Sequence, residues 1–255
     1  MKHVTTYITF PPGVPSGAVV REILQRAFET YRWFRPMKYG QASLDGRLDP
    51  DRIDFDALVN LYERKSNLTV TTRTDRDYLI LYPAKPIDPP YTGKLIWATS
   101  AAEASKAAWR SNHLQQVLTL MRLVGSPLAQ AGLDADYERK KWRLVPDPDG
   151  LAATEVYTVR DYSEGLVGLT WRNFLGPPFV RLFGERLASL PSETRQELGD
   201  DTVLIQPYAL PAQAGTSEAT ARERQLIAHL GPECFYDHEH HRKPTRLPEL
   251  PSPPA

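Results

Sequence analysis

Histidine and carboxylate side chains are concentrated near the C-terminus, in the run Asp237, His238, Glu239, His240 and His241. Imidazole and carboxylate groups at close spacing can bind a transition metal, and the bound ion can activate water for hydrolysis. His238 and His241 would share a face of a helix, whereas His238 and His240 would share a face of a strand. No distant partner of the same kind accompanies them. We therefore expect no bound metal or other cofactor and interpret the run as a solvated, partly ordered terminal segment. A metal-assisted hydrolase that uses Asp237–His241 is the alternative function.

A second group of charges lies between residues 45 and 56, where five aspartates occur: Asp45, Asp49, Asp51, Asp54 and Asp56. Two arginines interrupt the group, and Pro50 departs from the pattern of an EF-hand loop, so calcium binding is not expected. One interpretation is a turn followed by a helix N-terminus, where aspartate is favoured by the helix dipole. The other interpretation is an acidic surface that meets a basic partner.

The sequence contains no recognisable catalytic motif. Neither of the phosphate-binding glycine patterns GxxxxGK[ST] and GxGxxG occurs, and the GxSxG pattern of a serine hydrolase is missing. The single cysteine, Cys234, lies between Pro232 and Phe235, as a small buried apolar residue would. We expect a protein that is not an enzyme.

Composition narrows the possible partners and location. The chain of 255 residues has 31 basic and 31 acidic side chains, so no net charge attracts nucleic acid or an anionic membrane. One cysteine excludes an internal disulfide. The N-terminus lacks the apolar core of a signal peptide, and no apolar run approaches the roughly 20 residues that cross a bilayer. We expect a soluble, cytoplasmic protein with no direct nucleic-acid or membrane partner.

The first hundred residues predict two helices and a small sheet. Ser16 is a candidate helix cap, and apolar residues recur after it at helical spacing as far as Tyr31. A second helix follows the aspartates and ends near Asn67. Runs of β-branched and aromatic residues predict the strands, two of which resemble a hairpin. The predicted strands are Thr5–Phe10, Leu68–Thr72, Tyr78–Tyr82 and Lys94–Thr99.

The second half mixes helices and strands without a strict βαβ alternation, so we predict an α+β fold with a mixed, mainly antiparallel sheet and helices packed on it. The predicted elements are a helix from Asn112 to Gly125, a strand over Arg139–Leu144, a turn over Asp147–Gly150, a helix from Pro177 with an apolar stripe to Leu187, a strand over Val203–Gln206 and a helix over Ala219–Leu230.

The predicted organisation is a single domain over residues 1–243, with two similar halves (about 1–100 and 101–243) as the alternative. From Pro244 to Ala255 the chain has five prolines and few apolar residues, which indicates a flexible or extended tail.

The segment Gly168–Gly176 contains Trp171, Phe174, Leu175 and Gly176, and an apolar helix with Phe183 and Gly184 follows it. This pattern of tryptophan, two residues, Phe-Leu-Gly and a helix with a glycine end resembles the type VI immunity family. Residues 203–215, the helix over Ala219–Leu230 and the pair Phe235 and Tyr236 resemble the closing part of that family. Two departures are that Gly184 is followed by Glu185 instead of a second glycine, and that Pro83–Pro90 and Asp147–Gly150 have no counterpart.

The resemblance implies an immunity protein that binds and neutralises an antibacterial toxin delivered by a type VI secretion system, by stoichiometric occlusion. Some toxins paired with this family resemble VRR-NUC nucleases, whose DNA-binding clefts are basic. A toxin of this kind makes the acidic residues candidates for a surface that blocks the cleft: Asp45, Asp49, Asp51, Asp54 and Asp56. A structural or regulatory module without a toxin is a third hypothesis.

Overall fold

The computed structural model describes residues 2–41, 43–82, 92–147, 149–150 and 152–249. The stretch Pro83–Pro90 and the last six residues of the expected C-terminal tail lie outside this part of the chain. The chain divides into two compact units, residues 3–129 and residues 130–249. Whether they are one domain or two similar halves stays a prediction.

The first unit is built from an antiparallel sheet and four labelled α-helices in the described residues. Its elements are β1 (His3–Thr9), α1 (Gly17–Gln25), β2 (Lys38–Gly40), β3 (Gly46–Arg47), α2 (Phe55–Lys65), β4 (Leu68–Thr71), β5 (Tyr78–Tyr82), β6 (Lys94–Ser100), α3 (Ala101–Ala104), α4 (Ala107–Val124) and the start of β7 (Leu128–Leu133).

The strands of the first unit follow the order β1-β6-β5-β4-β2-β3. Each neighbouring pair is antiparallel, and Tyr7 lies opposite Ile96 while Leu79 lies opposite Trp97. The four strands predicted from the sequence are all present, and the hairpin β4–β5 is confirmed. The short strands β2 and β3 lack the apolar alternation that would have indicated them.

Helix capping explains where α1 and α2 begin. Ser16 accepts a hydrogen bond from the Val19 N–H, as the sequence predicts, and Asp54 accepts one from the Ala57 N–H. A π-helical turn, Arg26–Thr30, continues α1. The start of α4 was predicted wrongly at Asn112, because its first turns are largely exposed and carry no apolar periodicity.

The second unit also combines strands with helices. Its elements are the remainder of β7, α5 (Asp134–Lys141), β8 (Trp142–Pro146), β9 (Ala153–Tyr157), β10 (Arg172–Leu175), α6 (Pro177–Phe183), α7 (Glu185–Ala188), β11 (Arg195–Glu197), β12 (Val203–Ile205) and α8 (Ser217–Leu230). The order β7-β10-β12-β11 forms one group of strands, and β8 and β9 form a separate two-stranded sheet.

Two predictions for this unit were partly wrong. The strand predicted over Arg139–Leu144 begins only at Trp142, since α5 occupies the residues before it. Acidic residues in the first turn of α5 and basic residues in the last stabilise it through the helix dipole. The helix that begins at Pro177 ends before Gly184, whose φ of 52° interrupts it, so Leu187 lies on α7.

Each unit buries its own aromatic core. Trp97 and Tyr62 are almost fully buried in the first unit, and Trp171, Phe174 and Phe179 are almost fully buried in the second. Antiparallel strand pairs occur in both units, with helices packed on them. The predicted α+β class is confirmed.

The described part of the proline-rich segment is held against the second unit. Pro244 packs on Gly165, and the backbone N–H groups of Thr245 and Arg246 donate to the carbonyl of Glu233. The Arg246 guanidinium donates to the carbonyl of Leu182 over 2.7 Å. Residues 244–246 are therefore attached to the fold by specific contacts.

Candidate functional site

The five aspartates of the acidic segment are all exposed in the first unit, and they extend from the residue before β3 to the first turn of α2. Asp54 is the N-cap of α2, and its carboxylate lies 2.9 Å from the Ala57 nitrogen. A carboxylate at this position satisfies a free N–H group and interacts favourably with the helix dipole. Asp54 thus has a structural role.

The other four aspartates also make local contacts. Asp56 forms an ion pair with Arg21, and Asp51 forms one with Arg35 over 2.7 Å. The carboxylate of Asp49 accepts from the Asp51 N–H over 3.0 Å. Asp45 accepts from the hydroxyl of Ser43. Part of the negative charge is therefore compensated within the unit.

A cavity of about 670 Å³ adjoins the acidic segment. Its lining includes Tyr39, Asp45, Glu63 and Arg64, from β2, the following loop and α2. Of the five aspartates, Asp45 is the one that contributes to the lining. The acidic segment is consequently an exposed strip of surface with one residue at a cavity.

The histidine cluster near the C-terminus forms a tight turn closed by the bridge between Asp237 and Arg242. The Nδ1 atom of His240 lies 2.8 Å from the Asp237 carboxylate, and backbone and side-chain hydrogen bonds from His240 lower the pKa of Asp237 to about 2. His238 donates from Nε2 to the carbonyl of Val167 over 2.7 Å. Partial desolvation of its ring lowers the pKa of His238.

This geometry separates the imidazoles. His238 and His240 are each bonded to a different protein oxygen, and His241 adopts a φ of 55°. Throughout the described chain, no three histidine, cysteine or acidic side chains are grouped so that they could hold a metal ion. In this segment, which the sequence predicts to be solvated and partly ordered, His238 is fixed to the second unit by its hydrogen bond.

The residues that carry the family resemblance lie in the core of the second unit. Trp171, Phe174 and Leu175 are fully buried, and the Trp171 indole donates to the carbonyl of Ala209 over 3.2 Å. Gly176 is the N-cap of α6. Burial also raises the pKa of the Cys234 thiol, which favours the unreactive neutral form.

The structure also shows a groove of about 1050 Å³ in the second unit, which the sequence did not indicate. Besides Arg139, which pairs with Asp136, three guanidinium groups line it: Arg143 from β8, Arg224 from α8 and Arg242 from the histidine turn. We call these residues and their surroundings the arginine groove. None of the three side chains has a hydrogen-bond or ion-pair partner among the described residues.

Most other charges that line the groove are paired. Lys140 contacts the Glu223 carboxylate over 2.8 Å, and Glu233 binds Arg186 over 2.8 Å. Lys243 binds Glu164 over 2.7 Å. Glu239 is a further carboxylate in the lining, alongside the three unpartnered arginines. The groove therefore presents a local excess of positive charge on a chain with no formal net charge.

Beneath the groove lies a buried charge cluster. The ammonium group of Lys140 donates to Asp136, Glu223 and the carbonyl of Leu169, over 2.8, 2.8 and 2.6 Å. These three acceptors use all the hydrogens of the ammonium group. Desolvation raises the pKa of Glu223 despite the attraction of Lys140. The cluster fixes α5 to α8. Two of its members, Lys140 and Glu223, also line the groove.

Beside the groove, β8 and β9 form an exposed hairpin. Leu144 and Tyr157 are its most exposed large apolar residues, at 66% and 42% of their full surface. The sequence signal for the hairpin was available: apolar residues on both sides of the turn Asp147–Gly150. It was missed because the residues before Trp142 were assigned to the strand instead of a helix.

Comparison with solved structures shows a similarity of fold. The chain is similar to the T6SS protein PA0821 of Pseudomonas aeruginosa, with a TM-score of 0.61, 13% sequence identity, and coverage of 96% of this chain and 78% of that chain. No protein-family model matches the chain, and no curated protein matches it. At this identity the similarity is one of fold. Within the described residues, no helix is both long and apolar enough to cross a bilayer.

Proposed function

We propose that this chain is an immunity protein that binds an antibacterial toxin of a type VI secretion system and neutralises it without turnover. The observation that carries the proposal is the fold similarity to a T6SS protein over 96% of the chain. The sequence resemblance of the Trp171 segment to the type VI immunity family points independently to the same secretion system.

The proposed mechanism is occlusion. A protein of this kind covers the active site or substrate path of its toxin, so its own requirement is an exposed complementary surface instead of a reactive group. The chain offers two charged surfaces of opposite sign, the acidic segment and the arginine groove. The chain would bind toxin that has reached the cytosol, so the proposed location of the protein is the cytoplasm.

For the acidic segment, the proposed partner region is the basic cleft of a nuclease. Charge complementarity raises the association rate, and this effect weakens as salt screens the charges. The ion pairs of Asp51 and Asp56 reduce the available charge, since each must open or be shared before it meets a second cation. Asp45 and Asp49 accept hydrogen bonds from neutral donors and keep their full negative charge available.

Co-expression tests the proposal. The chain is produced together with the product of the neighbouring gene in a sensitive host, and growth and complex formation are both measured. The proposal predicts restored growth and a purified complex with a fixed ratio of the two proteins. Restored growth without a complex would indicate enzymatic reversal of damage. The absence of any protection would contradict the proposal that the chain is an immunity protein.

A further inference from the structure

The hairpin β8–β9 is a two-stranded sheet whose outer edges pair with no other strand in the described chain. Its register places Trp142 opposite Tyr157, Leu144 opposite Glu155 and Pro146 opposite Ala153. Because side chains alternate along a strand, these six residues lie on one face. That face includes the two most exposed large apolar side chains of the hairpin, Leu144 and Tyr157.

The base of the hairpin is held firmly. The rings of Trp142 and Tyr157 have centroids 3.8 Å apart, and the Lys141 ammonium lies 4.9 Å from the Trp142 ring centroid. The Trp142 indole also donates to Glu138 on α5 over 2.6 Å. A two-stranded hairpin alone is marginally stable in water, so these contacts are what keep the exposed apolar face in place.

An exposed strand edge with an apolar face is a template for a further strand. Backbone N–H and C=O groups along the edge can pair with an extended segment, and the side chains beside the edge determine which segment fits. Large exposed apolar residues on such an edge favour aggregation unless a partner covers them. The hairpin thus has the features of a strand-accepting surface.

The arginine groove specifies the charge of the segment that fits. Arg143 lies on β8 next to Leu144, on the opposite face of the strand, and lines the groove together with Arg224 and Arg242. Unpartnered guanidinium groups form strong paired hydrogen bonds with carboxylates. An extended segment that follows β8 or β9 and carries carboxylates on alternate residues would satisfy the edge and the arginines together.

We propose that the hairpin β8–β9 and the arginine groove form one docking surface for an acidic, extended segment of a partner protein. The identity of that partner as the toxin rests on the proposed function. A nucleic acid fits the surface less well, because Trp142 and Tyr157 stack on each other and the strand edges offer peptide-type hydrogen bonding.

A peptide experiment tests the surface without the toxin. The full chain is titrated into a fluorescein-labelled peptide of alternating Glu and Val, and binding is followed by fluorescence anisotropy at low salt. A peptide of alternating Lys and Val and an oligothymidine serve as comparison probes. We expect binding of the Glu-Val peptide, with at least about tenfold weaker binding of the other two probes.

The variants locate the binding. Arg143→Glu/Arg224→Glu/Arg242→Glu is expected to weaken Glu-Val peptide binding by at least about tenfold, and Leu144→Ser by a smaller factor. The matched control Arg52→Glu/Arg73→Glu/Arg76→Glu makes the same change of net charge at exposed arginines of the first unit and is expected to leave binding within about twofold. Circular dichroism confirms that each variant is folded.

Three results would overturn the docking surface: no binding of the Glu-Val peptide, equal binding by the two triple variants, or tighter binding of oligothymidine. The same variants in the co-expression assay separate this inference from the proposed function. If the groove variant protects as well as the unmodified chain, the toxin does not dock at this surface and the function stands. If the chain binds the peptide through the groove but never protects, the function is wrong and the surface stands.

Discussion

Lys140 is enclosed by two carboxylates and a carbonyl, and its side chain is only 7% exposed. The Lys140, Asp136 and Glu223 cluster illustrates why a buried ion pair is difficult to alter one residue at a time. Taking charges out of water is costly, and only the mutual hydrogen bonds offset that cost. Loss of the ammonium group leaves Glu223 without this cation and leaves Asp136 with only the largely exposed Arg139.

The substitution Lys140→Met is expected to lower the free energy of unfolding by about 3–5 kcal/mol, because it leaves two buried carboxylates without their shared cation. Urea denaturation at neutral pH measures the change. The control Arg139→Ala removes a largely exposed partner of the same Asp136 and is expected to cost under about 1 kcal/mol. Similar costs for the two substitutions would contradict the buried-cluster account.

Glu223 gives a prediction about pH. Desolvation raises its pKa above the usual 4.5, so the folded protein binds a proton more tightly than the unfolded chain. The contribution of this group to stability is present below about pH 4.5, the pKa of the unfolded state. It is lost as the pH rises through the pKa of Glu223 in the folded protein. Glu223→Gln cannot lose a proton, so its stability relative to the unmodified protein should increase with pH over that interval.

Urea denaturation of both proteins at a series of pH values measures this difference. Gln225→Glu, which adds a carboxylate on an exposed part of α8, serves as a control with an ordinary titration. A constant difference between Glu223→Gln and the unmodified protein across the series would show that the folded-state pKa of Glu223 is not raised.

Within the acidic segment, the structure separates a capping residue from the remaining surface charges. Asp54→Ala is expected to lower the free energy of unfolding by about 1 kcal/mol, because the Ala57 N–H loses its acceptor. Asp49→Ala is expected to leave stability within about 0.5 kcal/mol. Thermal and urea unfolding check both values.

The same distinction sharpens the test of toxin binding by this segment. A variant with Asn at positions 45, 49, 51 and 56 keeps the Asp54 cap and removes the other four carboxylates. If the segment meets a basic cleft, this variant associates more slowly with the toxin, and the difference shrinks at high salt. Unchanged association at low salt would limit the segment to its structural contacts.

At the scale of elements, Gly165 determines how the proline-rich segment attaches. Its φ is +100°, and a Cβ added there would lie 2.5 Å from the Cγ of Pro244 and 3.1 Å from the carbonyl of Cys234. Glycine is therefore required both for the backbone conformation and for the close approach of Pro244.

Gly165→Ala is expected to lower the free energy of unfolding by about 2–4 kcal/mol, through strain at positive φ together with the clash against Pro244. Gly215→Ala is the matched control, because Gly215 also has a positive φ but no neighbour within 4 Å of an added Cβ. The control should cost about 1–2 kcal/mol. Limited proteolysis should cut near Pro244 faster in Gly165→Ala alone.

Elements with a clear apolar period were predictable, and those fixed by other forces were not. The strand β1, the hairpin β4–β5 and the buried part of α4 follow directly from the spacing of apolar residues. By contrast, α5 is stabilised by its charge distribution, and its helical residues contain few apolar side chains. Because α5 was not predicted, the start of β8 was placed too early, at Arg139 instead of Trp142.

The arginine groove could not be predicted from spacing, because its arginines come from three segments separated along the chain. Arg143, Arg224 and Arg242 share no motif and converge only when the second unit folds. The acidic segment, in contrast, is contiguous and was visible at once, but its contacts with Arg21 and Arg35 depend on tertiary structure. The acidic segment could be recognised because its residues are close in sequence. The arginine groove could not, because its residues are far apart in sequence.

For the whole molecule, the proposed function is binding through complementarity of charge and shape. Its formal net charge is zero, yet it carries an acidic segment in one unit and an arginine groove in the other. A partner with both a basic and an acidic region could therefore be recognised at two places. Local patches on a neutral chain also limit unspecific attraction to nucleic acid.

Neutralisation by occlusion requires a fixed ratio of the two proteins, and a titration of toxin activity measures that ratio. The product of the neighbouring gene is assayed while the purified chain is added in increments. Activity should fall in proportion to the added chain and reach zero at a fixed molar ratio, and it should return when more toxin is supplied. Complete and lasting loss of toxin activity at a small fraction of that ratio would show turnover and rule out occlusion as the mechanism.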